Sequence, residues 1–257
     1  MKLDFIRYEK HERVATVTIS RPEVMNALHP PANEELDRVW NDVAADPDVW
    51  VAILTGAGER AFSTGNDLKW TATRGMPRMP GSGFGGITNR HDLTKPLIAA
   101  VNGFALGGGF EMALACDVIV AAEHARFGLP ETRVGLIAAD GGVHRLARHV
   151  PLKIAMGLLL TGRQITAGEA HRWGLVNEVV PAPRLLEAAR RWAAEVMECA
   201  PLSVQATKEA ALGGLGRPLP EAMAGRYPGV ARVFASEDAQ EGPRAFAEKR
   251  KPVWRGR

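Results

Sequence analysis

Residues 97–122 constrain the fold more than any other stretch of this chain. They are dominated by Leu, Ile, Val, Ala and Phe, yet they hold Asn102, Glu111, Asp117 and four glycines. Those groups would be costly in lipid, so the stretch reads as a buried core segment and not as a membrane span. A buried carboxylate inside it then calls for an explanation. The N-terminal Met1-Lys2-Leu3-Asp4 has no apolar h-region, so the expectation is a soluble, cytoplasmic protein with no secretory signal.

The chain of 257 residues suffices for one large single-core domain or two small ones. A formal net charge of +3 is too small to suggest nucleic-acid binding by itself. The basic run Arg244, Lys249, Arg250, Lys251, Arg255 and Arg257 reads as a solvated, helix-ending tail. Two cysteines, Cys116 and Cys199, cannot build a disulfide framework; both lie in apolar helical patterns and are expected as buried free thiols.

Along the first half, short β-type runs alternate with helical ones. Val14 to Ile19 and Val49 to Leu54 read as strands, and 32–45 as a helix with Leu36, Val39, Trp40 and Val43 on one stripe. Residues 71–90 crowd Met, Pro and Gly together and read as a long loop, of the kind that often forms a lid or pocket wall. Its G-x-G-x-x-G match, Gly81 to Gly86, does not follow a strand, so a dinucleotide fingerprint is rejected. Next come a strand at Leu97 to Val101, a turn at Asn102 to Gly107, a helix at Gly108 to Cys116 and a strand at Asp117 to Ala122. Beyond Gly141 the pattern is mainly helical, with one short strand near Val176 to Val180 and amphipathic helices at about 184–198, 203–212 and 238–249. An α/β core with a C-terminal helical extension follows.

Gly107-Gly108-Gly109 entering a helix offers unpaired backbone N–H groups at the positive end of the helix dipole, which suits an oxyanion. Glu111 follows in the first turn, and a glycine-rich entry with a capping glutamate is the plain structural alternative. Glu131 stands in a loop-like context, Phe127-Gly128-Leu129-Pro130-Glu131, where a solvated acid is the commoner outcome. Spacing alone does not bring Glu111 and Glu131 together. The seven histidines form no ligand pairs with carboxylates at metal spacing, so no metal is expected, and there is no G-x-S-x-G elbow.

The run Asn102 to Glu111, then Cys116-Asp117, then Ala125 to Glu131 resembles the crotonase (enoyl-CoA hydratase/isomerase) family. The likeness covers essentially the whole chain. It includes Asn26-Ala27-Leu28, Phe62 to Lys69, Leu160-Thr161-Gly162-Arg163 and Gly174-Leu175-Val176-Asn177 in the family's order. The tail from Ser236 to Trp254 and the loop Gly83-Phe84-Gly85-Gly86 resemble carnitinyl-CoA dehydratases and the bacterial hydratases near them.

The resemblance implies a crotonase-like spiral of ββα repeats over residues 1–195, with a helical, oligomerising region over 196–257 in the same structural unit. It implies a thioester oxygen held by the backbone N–H groups of Gly108 and Asn66, and acid–base work by Glu111 and Glu131. Lys69 and Lys249 match positions that bind the nucleotide part of CoA, the second supplied from a neighbouring subunit in a trimer or dimer of trimers. Coenzyme A enters as part of an acyl-CoA substrate, with no other cofactor and with neither nucleic acid nor membrane as a partner. The implied activity is hydration of a 2-enoyl-CoA; carnitinyl-CoA dehydration and enoyl-CoA isomerisation are the alternatives, while the retained glutamates argue against a noncatalytic member and the small net charge against an RNA-binding one using the basic tail.

Three positions depart from the family pattern. Ala138-Ala139-Asp140-Gly141-Gly142 stands where hydratases commonly have Pro-Gly-x-Gly-Gly, so Ala139 is expected to narrow the water site or shift an amide. Asp140 reads as a helix N-cap, with an extra acid–base group as the alternative. Asn66 is polar where relatives often carry a small residue, and its side chain is a candidate to approach the thioester. Trp70 and Asp140 are the pocket candidates for a trimethylammonium substrate.

Overall fold

A computed structural model describes residues 1–75 and 79–257. Its strands are β1 (Ile6–His11), β2 (Val14–Ile19), β3 (Val51–Gly56), β4 (Ala61–Ser63), β5 (Leu97–Val101), β6 (Phe104–Leu106), β7 (Val118–Ala122), β8 (Arg126–Gly128), β9 (Ile165–Thr166) and β10 (Glu178–Val180). The helices are α1 (Pro30–Ala45), α2 (Leu68–Arg74), α3 (Gly108–Ala115), α4 (Gly142–His149), α5 (Leu152–Thr161), α6 (Ala167–Arg172), α7 (Leu185–Met197), α8 (Pro201–Gly214), α9 (Leu219–Met223), α10 (Pro228–Phe234) and α11 (Asp238–Ala247).

Two sheets result. The larger runs β1-β2-β3-β5-β7-β10 and the smaller β4-β6-β8-β9. Each successive pair, β3/β4, β5/β6 and β7/β8, gives its first strand to the large sheet and its second to the small one. Parallel pairing of β3 with β5 and β5 with β7 is matched by parallel pairing of β4 with β6 and β6 with β8. This is the spiral of ββα repeats that the resemblance implied.

The central strands read as continuous apolar runs because both faces of the large sheet are covered. On one face Val17, Ile19, Leu54, Ala99 and Val101 pack with Leu36, Val39, Trp40 and Val43 of α1 in the main core. On the other, Val51, Ile53, Ile98 and Val120 meet Leu185, Ala188, Ala189 and Ala193 of α7 in a second cluster. The apolar stripe read on α1 is that buried face.

Several expectations need correction. The turn expected at Asn102 to Gly107 contains β6, and β4 and β8 are equally short strands with no alternation of their own. The long loop expected over 71–90 begins inside α2 and contains a 3-10 turn at Phe84–Gly86, while its residues 76–78 lie outside the described residues. Cys116 is a half-buried helix end with burial pushing its thiol up to about 12, but Cys199 is exposed just past α7. No helix of the described residues is long and apolar enough to cross a membrane.

Candidate active site

The ends of β4, β6 and β8 lie side by side, and the chemistry hangs from the loops that leave them. After β4 the chain turns through Gly65, whose φ of +83° suits glycine. A Cβ there would lie 2.7 Å from the Gly108 amide nitrogen, so the turn lies directly against the start of α3. Asn66 follows, bridged to Leu28, and Asp67 accepts the Trp70 N–H at 3.1 Å to cap α2. Arg21 pairs with Asp67 at 3.2 Å and braces the same corner.

After β6, Gly107 takes a φ of +53° and caps α3 without a side-chain bond. The Gly108 and Asn66 N–H groups donate to no protein acceptor among the described residues. Two free amides on neighbouring turns are what an oxyanion requires.

Glu111 is 3% exposed, and the Gly142 N–H donates to its Oε1 at 2.8 Å. It therefore does not cap its own helix. Burial raises its pKa to about 7; the Gly142 hydrogen bond opposes that shift, and the charges of Glu131 and Asp140 add to it. Glu131 sits in a 3-10 turn, Pro130–Val134, half-buried where a solvated acid was the plain alternative. A Cβ on Gly107 would come within 2.9 Å of its Oε1, and its Oε2 is buried with no hydrogen-bond partner among the described residues. Burial raises this carboxyl too. Two carboxyls, each raised from the ordinary carboxylate range by burial, flank one helix entry, which suits general acid–base work.

Asp140 departs from expectation. Gly141 is the N-cap of α4, and the Asp140 carboxylate instead accepts the Phe84 N–H at 3.1 Å. Ala139 is exposed, whereas Ala138 is buried and packs against Gly142, so Ala138 is the alanine beside the Glu111 amide donor. The Asn66 amide group is turned to Thr71, donating from Nδ2 to Oγ1 at 2.8 Å. Lys69 is exposed and Trp70 half-buried on α2, with the Arg74 guanidinium over the indole at 5.9 Å. Lys249 is exposed just past α11.

Sequence reasoning missed Gly142 as the partner of Glu111 and Phe84 as the ring beside Gly108, where a Cβ would lie 2.6 Å from it. The Asp67 cap was readable from an Asp before a short helix; the other two depend on tertiary contacts alone. A separate cavity of about 1080 Å³ on the far side of the large sheet, bordered by Arg7, Thr55, Asn102, His124 and Arg190 among others, is lined by none of Glu111, Glu131, Asn66 and Gly108. Among the described residues no group of three or more His, Cys, Asp or Glu is placed to hold a metal.

The family model described as enoyl-CoA hydratase/isomerase matches residues 9–257. The carnitinyl-CoA dehydratase of Citrobacter koseri is 44% identical, with 98% of each chain covered. The (E)-benzylidenesuccinyl-CoA hydratase of Thauera aromatica is 44% identical over 98% of this chain and 99% of its own. Among solved structures, an enoyl-CoA hydratase of Mycobacterium tuberculosis superposes with a TM-score of 0.92 at 40% identity, covering 98% of this chain and 99% of that one.

Proposed function

The chain belongs to the enoyl-CoA hydratase/isomerase family, and from that premise we propose that it is a hydro-lyase adding water reversibly, in syn fashion, to a 2-enoyl-CoA thioester to give the 3-hydroxyacyl-CoA. The observation that carries this reading is the pair Glu111, buried, and Glu131, half-buried, both raised in pKa and flanking the free Gly108 amide.

The Gly108 and Asn66 N–H groups hold the thioester oxygen. Drawing electron density onto that oxygen makes Cβ electrophilic, and each donor contributes about 3–4 kcal/mol as the enolate charge develops. One carboxylate takes a proton from water as its oxygen bonds to Cβ. The π electrons move toward the thioester, and the other carboxyl gives its proton to Cα. The two glutamates exchange protonation states, and the free Glu131 Oε2 supplies an acceptor for the attacking water.

Lys69 and Lys249 bind CoA phosphates as compact charges. CoA is part of the substrate; no metal, other cofactor or nucleic acid enters the reading, and the location is cytoplasmic. A homotrimer or dimer of trimers is supported by apolar side chains bared on the C-terminal helices, with Phe234 80% and Phe246 87% exposed.

A second reading, carnitinyl-CoA dehydratase, is favoured by the Citrobacter koseri relative. Asp140 is one candidate partner for a trimethylammonium group, although its carboxylate already serves Phe84. The test follows loss of conjugated thioester absorbance on crotonyl-CoA and crotonobetainyl-CoA. A strong preference for the second substrate selects the dehydratase. Inactivity on both, with clean double-bond migration on a 3-enoyl-CoA, replaces hydration by isomerisation.

A further inference from the structure

Asp140 touches both halves of the site. Its carboxylate accepts the N–H of Phe84, a residue 2% exposed whose amide has no other acceptor among the described residues. The Phe84 ring lies flush on Gly108, where a Cβ would come within 2.6–2.8 Å of three ring carbons. The next residue, Gly85, donates to Asn33 Oδ1 at 2.7 Å and accepts from the Trp40 indole at 2.9 Å. Two positions beyond Asp140, the Gly142 N–H holds Glu111.

We propose that Asp140 is a positioning residue that fixes the Phe84 wall against the Gly108 amide and, through the same turn, the amide that orients Glu111. This role rests on the hydratase reading. Losing the carboxylate leaves the buried Phe84 amide unpaired and frees the turn to seek another partner. The ring then moves relative to Gly108, and a displacement near 1 Å is enough to slow a positioned reaction by about 100-fold. Asparagine keeps an oxygen for the Phe84 N–H and loses only the charge. Glu111 is faced by Glu131 and Asp140 on the acidic side and by Arg145 of α4 on the basic side, so removing the Asp140 charge lowers its proton affinity.

The experiment compares Asp140→Ala and Asp140→Asn in the full-length protein, by hydration kinetics across pH and by amide exchange of the Phe84–Gly86 turn. The expected result for alanine is a loss of about 30-fold in kcat/KM, mostly in kcat, with fast exchange at Phe84. Asparagine loses only about 3-fold and keeps the protection. In both variants the pH limb set by Glu111 moves to lower pH, which a merely structural role would not do. Equal losses in the two variants, or an unchanged Phe84 exchange rate in Asp140→Ala, overturns the proposal. A wild-type protein inert on every enoyl-CoA, whose Phe84 amide is still freed only by alanine, supports the tether and refutes the hydratase reading instead.

Discussion

Gly65 lies so close to Gly108 that a methyl group on its Cα would stand 2.7 Å from the Gly108 nitrogen and 2.9 Å from the Leu106 carbonyl oxygen. The two turns that offer free amides are thus one mechanical unit. Gly65→Ala would also strain a backbone at φ +83°. The expected outcome is a fall in kcat of at least ~100-fold, the scale of losing one oxyanion donor. Steady-state kinetics on a folded variant checks this; kcat within threefold of wild type would show that the turns do not need this contact.

Glu111→Gln should lower hydration by at least ~100-fold, the lower scale for a general acid–base group, and Glu131→Gln should do likewise. The glutamine can still accept the Gly142 N–H, so the comparison isolates the proton. Near wild-type turnover in either variant would remove that residue from the acid–base pair.

The same residue makes stability depend on pH. The Glu111 carboxyl titrates at about 7 in the folded protein against an ordinary 4.5. Below the ordinary value both folded and unfolded forms are protonated, and no cost arises. As pH rises toward 7 the unfolded chain ionises first, so burying this group destabilises by up to about 3 kcal/mol above pH 7. Glu111→Gln should therefore be more stable than wild type at pH 8, with the gap closing near pH 4.5. Urea unfolding at the two pH values measures it, and a gap that widens on acidification would contradict the assignment.

Lys69→Ala and Lys249→Gln should raise KM for acyl-CoA about 10-fold with little change in kcat, because a charge on the CoA nucleotide binds ground state and transition state alike. A fall in kcat with KM unchanged would place these lysines elsewhere in the mechanism.

A structural prediction lies far from the chemistry. The buried Glu35 carboxylate accepts the N–H groups of Asp4, Phe5 and Ile6 at 2.9, 2.9 and 3.2 Å, tying the start of the chain to α1. Glu35→Ala leaves these donors without partners and should cost roughly 2–4 kcal/mol in chemical denaturation, with KM unaltered.

What could be read in the sequence divides along the range of the forces involved. Val14–Ile19 and Leu97–Val101 have the bounds expected of them, since a run of apolar and β-branched residues covered on both faces declares itself locally. Ala61–Ser63, Phe104–Leu106 and Arg126–Gly128 could not be read, because three residues carry no period and each strand exists only by pairing with the others. The Gly108 helix entry was legible from its glycines. The shared site of Glu111 and Glu131 came from resemblance, since a 3-10 turn and a strand pairing set their approach. Asp140 looked like an N-cap because it precedes a helix, but its partner Phe84 stands 56 positions away. Cys199 was misplaced because an apolar helical pattern continued past the real end of α7.

The two apolar clusters on opposite faces of the large sheet divide the labour of the molecule. Phe84, Phe110, Met112, Phe127 and Ala138, which surround the site, all belong to the first. The cluster joining α7 to Val51, Ile53, Ile98 and Val120 includes none of them. Volume changes under α7 can thus shift the melting temperature while the glutamates and amides keep their places. Robustness and turnover are separately adjustable here, giving evolution or a designer a region in which to stabilise the enzyme without retuning its chemistry.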